Sequence, residues 1–135
     1  MKALIALAAI AGIGGGGYLY SQTYGFDYAN ASPDARKAYL ERQIGWQEGT
    51  FKPNYLSRFT SARASSRGLT FTYNTGMGSV TCGHKVNCLE KFCTRYSMTS
   101  LAKNEITVNV VMTDNNGRQI GQESVSPRIC KRFDR

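Results

Sequence analysis

Residues 101–130, LAKNEITVNVVMTDNNGRQIGQESVSPRIC, decide the reading of the fold. Ile106, Val108 and Val110 alternate with Thr107 and Asn109, the period of two that turns one side of a strand to a core and the other to water. Asp114-Asn115-Asn116-Gly117 follows, a run of turn formers with glycine last, where a positive φ is tolerated. Ile120 and Val125 resume the apolar pattern on the return strand. Residues 105–130 therefore read as one unit, a β-hairpin ending in a cysteine that can be tied to a segment well upstream.

A further strand reads at 68–74. Leu69, Phe71 and Tyr73 alternate with Thr70, Thr72 and Asn74, and the strand is expected to pair with the hairpin. Earlier in the chain, Ser32-Pro33-Asp34 is a helix start: serine as N-cap, proline at the first helical position, an acid in the first turn. The helix is expected to reach about Glu48 and stop at Gly49. Ala35, Tyr39, Ile44 and Trp46 give it only a ragged apolar stripe, so it should pack shallowly, with Trp46 as a core or edge anchor. Residues 51–68 read as irregular and positive. Lys52, Arg58, Arg63, Arg67 and Lys85 occur with no acid between Glu48 and Glu90.

Residues 75–95 hold Cys82, His84, Cys88 and Cys93. Tetrahedral zinc draws its ligands in close pairs, whereas five residues separate Cys82 from Cys88 and four separate Cys88 from Cys93. Nucleophilic chemistry lacks a group to orient His84, the one histidine. Neither a metal nor a catalytic residue is expected. Two disulfides suit the four cysteines better. Of three possible pairings we favour Cys82–Cys88 with Cys93–Cys130, because a short helix over 86–95 would carry Leu89, Phe92 and Cys93 inward.

Phe71-Thr72-Tyr73, Phe92-Cys93, residues 115–121 (NNGRQIG) and 126–130 (SPRIC) together resemble a pattern in small, largely uncharacterised exported bacterial proteins. There a strand, a helix bearing one cysteine, a DGxxIG hairpin and a terminal cysteine recur. The resemblance supports the Cys93–Cys130 pairing and implies no activity. Cys82, Cys88 and the amino-terminal segment depart from the pattern.

That segment, residues 3–20 (ALIALAAIAGIGGGGYLY), has no charged side chain. As a helix, roughly 18 residues at about 1.5 Å each span about 27 Å, enough for a bilayer core. It reads as an uncleaved anchor; a cleaved signal peptide is the alternative, although no good cleavage site follows. Gly12 and Gly16 form a GxxxG pair that would let another transmembrane helix approach closely. Residues 21–31 are a linker whose Tyr24, Phe26 and Tyr28 could meet headgroups or a partner. Four cysteines favour an oxidising compartment, which puts the domain outside the cytoplasm. The expected organisation is an anchor (1–20), a linker (21–31) and an α+β domain (32–135), its antiparallel sheet accompanied by about two helices. A single pass through a bacterial inner membrane, with the carboxyl-terminal domain in the periplasm, fits that order.

The formal net charge is +8, so an acidic partner is expected. The cations at Lys52, Arg58, Arg63, Arg67 and Lys85 are the candidate contacts for lipid headgroups or an acidic subunit. Phe51, Tyr55 and Phe59 lie among them, but no nucleic-acid recognition signature accompanies the patch. Lys131, Arg132 and Arg135 read as a solvated tail. No phosphate-binding, acyl-transfer, glycosidase or redox-cofactor motif stands in the chain, and no cofactor is implied. The expected role is therefore a non-catalytic accessory or assembly subunit of a membrane complex, in contact with lipid and other membrane-protein subunits. The alternative is a secreted soluble binder or inhibitor.

Overall fold

Ser32 caps the first helix. Its Oγ accepts from the Ala35 N–H at 3.2 Å, satisfying one of the orphan donors of the first turn, and α1 runs Pro33–Gln47. The computed structural model describes residues 25–65, 68–76 and 88–133. After α1 come β1 (Arg58–Ser65), β2 (Gly68–Asn74), α2 (Cys88–Tyr96) and α3 (Ser100–Lys103). Then follow β3 (Thr107–Thr113), β4 (Gln119–Val125), α4 (Pro127–Cys130) and a 3-10 turn over Lys131–Phe133. The class is α+β, and the described residues form one four-stranded sheet in the order β1-β2-β3-β4. Among the described residues no helix is long and apolar enough to cross a membrane. The proposed anchor, with Gly12, Gly16 and the linker residue Tyr24, lies outside them.

The hairpin forms as read. β3 and β4 are antiparallel, Val108 opposite Val125. In the connection the Asp114 carboxylate accepts from the N–H groups of Asn116 and Arg118 at 2.9 and 3.0 Å, and Gly117 takes φ +80°. A bulge between Met112 and Thr113 leaves Ile120 between the partners of two neighbouring residues. That extra residue explains how Ile120 and Val125, five apart, both pack on the core.

The sheet is mixed, not antiparallel as expected. β2 lies parallel to β3, from Gly68 opposite Thr107 to Asn74 opposite Thr113. A parallel pair needs a long crossover, and residues 75–106, with α2 and α3, supply it. β1 is a second correction. It occupies part of the stretch read as irregular, because a bulge between Phe59 and Ser61 breaks the alternation of Phe59 with Ala62 and Ala64. Four α-helices stand among the described residues rather than about two, since α3 and α4 are single turns of four residues.

Leu69, Phe71 and Tyr73 of β2 and Val108, Val110 and Met112 of β3 are buried on one face of the sheet. α1 lies against β1 and β2, and α2 against β4. Tyr39, Leu40, Phe92, Tyr96 and Leu101 complete the core. The alternate residues Thr70, Thr72, Asn109 and Val111 are only half-buried, so the helices cover a single face. Trp46 does not anchor α1: it is 41% exposed, and Tyr39, Leu40 and Gln43 are buried instead. The end of the chain is not wholly a solvated tail either, because Phe133 packs against the core.

Candidate binding groove

Two covalent and polar frames hold the surface features in place. The first is the Cys93–Cys130 disulfide, with Cα atoms 5.3 Å apart and a sequence separation of 37. It joins the buried side of α2 to α4, which follows the hairpin. Cys88 is disulfide-bonded as well; Cys82 and His84 lie outside the described residues. Among those described, no three of His, Cys, Asp and Glu are grouped to hold a metal ion.

The second frame ties the linker to the domain. Phe26 stacks on Tyr39, centroids 4.5 Å apart and planes within 6°. Tyr28 donates its backbone N–H to Asn104 Oδ1 at 3.1 Å. The Tyr39 hydroxyl shares a 2.6 Å hydrogen bond with Ser100 Oγ and accepts from Asn104 Nδ2 at 3.2 Å. Arg36 then clamps the linker to α1, donating from Nε to the Tyr28 carbonyl at 2.8 Å and from Nη2 to the Ala29 carbonyl at 2.7 Å. Its guanidinium also lies 5.1 Å from the Tyr28 ring centroid. Phe26 and Tyr28 are thus half-buried parts of the domain rather than free decorations of a linker.

Between α1 and β1 an open groove of about 610 Å³ remains. Leu40 and Ile44 of α1 and Ala62 and Ala64 of β1 line it with apolar surface. The two alanines leave room where larger residues would have closed the gap between helix and strand. Arg36 and Lys37 of α1, and Arg63 on the outer face of β1 at the rim, set three positive charges around it against one carboxylate, Glu41. The side chains of Lys37 and Arg63 make no hydrogen bond or ion pair among the described residues, so their charges are free to meet a ligand.

The residues read from sequence as basic contacts are not gathered here. Arg63 alone reaches the groove. Arg58 stands at the other end of β1, roughly 15 Å away at about 3.3 Å per residue. Lys52 belongs to the loop before β1, and Arg67 and Lys85 lie outside the described residues. The sequence reading placed Ile44 in the apolar stripe of α1 but assigned none of Arg36, Lys37, Leu40 and Ile44 to a site. Their spacing of three and four along α1 was the available signal, since such residues share one helix face.

The loop over residues 48–57 is tied to α2 and β2 by hydrogen bonds. Lys91 Nζ donates to the Pro53 carbonyl at 2.6 Å and Arg95 Nη1 to the Thr50 carbonyl at 3.0 Å. Burial lowers the pKa of Lys91, helped by the nearby positive Arg95. Tyr73 donates its hydroxyl to the Glu48 carbonyl. Asn54 Oδ1 accepts from Leu56 N–H and Ser57 Oγ. Tyr55 and Leu56 are held outward, 86% and 55% exposed.

No family model matches this chain, and no curated protein or solved structure matches it either.

Proposed function

We propose that the chain is a non-catalytic accessory or assembly subunit of a larger membrane complex. Residues 1–20 would anchor it, and the disulfide-braced domain would lie on the oxidising, periplasmic side. The observation that carries this reading is the basic groove between α1 and β1. Its apolar floor and uncompensated cations suit recognition of an acidic protein surface, and its walls are held by the Arg36 clamp and by packing on the core. The Cys93–Cys130 bridge supports the compartment, since such bonds persist where thiols are not kept reduced.

Solubilising native membranes in mild detergent tests the proposal. The chain is expected to migrate with other membrane proteins, and a photo-crosslinker at Gly14 is expected to capture a neighbouring subunit. Migration solely as a free monomer would refute it. A second reading, a soluble binder released by cleavage, is favoured by the way Phe26 and Tyr28 are tied to the domain itself. Intact mass separates the two, because release removes about 20 residues, a length typical of a signal peptide.

A further inference from the structure

We infer that the groove takes an extended acidic segment of a partner protein, which adds to β1 as a fifth strand. The inference rests on reading the chain as a binding subunit and names the kind of segment bound. Among the described residues β1 is an outer strand of the sheet, and an outer strand presents every second N–H and C=O away from its neighbour. Past the bulge at Thr60, residues 61–65 pair regularly with β2, and residues 62–65 line the groove. The regular part of the edge and the cavity therefore coincide.

The pleat dictates the occupant. Ala62 and Ala64 sit on the core side of β1, opposite Phe71 and Leu69. An added strand would set alternate side chains beside those alanines, against Leu40 and Ile44. Its other side chains would lie beside Arg63, opposite Thr70 on the outer face. Apolar residues suit the first set and carboxylates the second, which Arg63 faces. A second copy of this chain suits the edge poorly, because pairing β1 with β1 would crowd Arg58 and Arg63 of both copies onto one ribbon. Charged edge residues that repel self-association thus select an acidic strand.

Hydrogen exchange of the full chain in neutral-lipid nanodiscs tests this, using the peptides EVEVEVE and KVKVKVK as probes. Saturating EVEVEVE is expected to slow exchange of the β1 amides about tenfold, and KVKVKVK to leave them unchanged. The variant Arg63→Glu changes only an exposed side chain and should exchange that preference. No slowing with EVEVEVE, or equal slowing with oligoglutamate, would overturn the inference. So would slowing by anionic nanodisc lipid alone, which would assign the cations to headgroups. Should native purification find a complex while the peptide leaves β1 unprotected, only the strand addition falls. Protection of β1 in a chain that purifies as a monomer would instead remove the membrane complex and leave the groove its ligand.

Discussion

Gly68 and Gly117 both have positive φ, +149° and +80°, yet they are under different constraints. A Cβ at Gly117 would meet nothing within 4 Å, whereas one at Gly68 would lie 2.0 Å from the Thr107 carbonyl oxygen. That oxygen belongs to the backbone of β3 and cannot swing away. Gly117→Ala is expected to lower the unfolding free energy by about 1 kcal/mol, the strain of a left-handed residue. Gly68→Ala should lower it by more than about 2 kcal/mol, because the strain is joined by a clash that parts β2 from β3. Urea midpoints of the two variants give the comparison. Gln43 presents the opposite case. It is fully buried, and among the described residues its Nε2 donates to nothing. Its Oε1 accepts from Gln47 at 3.0 Å. An unsatisfied buried donor destabilises by about 1–3 kcal/mol and a hydrogen bond contributes about 1 kcal/mol. Gln43→Met should therefore raise the unfolding free energy, by up to about 2 kcal/mol, read from the same urea curves.

At the scale of elements the hairpin and α2 are the decisive pair. α2 buries Cys88, Leu89, Phe92, Cys93 and Tyr96, and Tyr96 donates its hydroxyl to the Ile106 carbonyl at 2.7 Å, just before β3. The Cys93–Cys130 bond closes the chain around this arrangement. In the chain-entropy treatment a loop of that length stabilises by about 3–4 kcal/mol, a large share of a small domain's stability. Replacing Cys93 and Cys130 together by serine is expected to lose about that much, seen as a lower urea midpoint under non-reducing conditions. An unchanged midpoint would mean that packing alone holds α4 to α2. Both the hairpin and α2 were legible in sequence because each shows its own period, two and about 3.6. β1 was not: its pairing with β2 carries a bulge, and five of its eight residues are polar, so no clean apolar alternation shows.

Over the whole molecule, three tyrosines link the core to alkaline pH. Burial raises the pKa of Tyr39, Tyr73 and Tyr96, and the carboxylates of Glu48 and Glu105 push further at Tyr73 and Tyr96. A raised folded-state pKa means that the contribution is complete below the unfolded value, about pH 10. Above it the unfolded chain holds fewer protons than the folded one, so stability falls as pH rises. Three groups give a slope approaching about 4 kcal/mol per pH unit. Lys91, with its lowered pKa, opposes this by at most one proton. The unfolding free energy should start to fall near about pH 10, and phenolate absorbance should show the three buried hydroxyls ionising only as the fold opens. Smooth ionisation of all eight tyrosines in the folded state would contradict it.

By itself the sequence determined the local structure of this protein. Ser32 and Pro33 start a helix, Asp114 and Gly117 turn a hairpin, and alternation at 69–73 and 106–110 marks two strands, because caps, turns and pleats depend on near neighbours in the chain. Tertiary structure alone decided that β2 and β3 run parallel, that β1 becomes an outer strand, and that Lys37 and Arg63 share one groove. Those outcomes depend on how distant segments stack and on how much space small side chains such as Ala62 and Ala64 leave between them. A pattern that runs along one stretch of chain carries no record of that space.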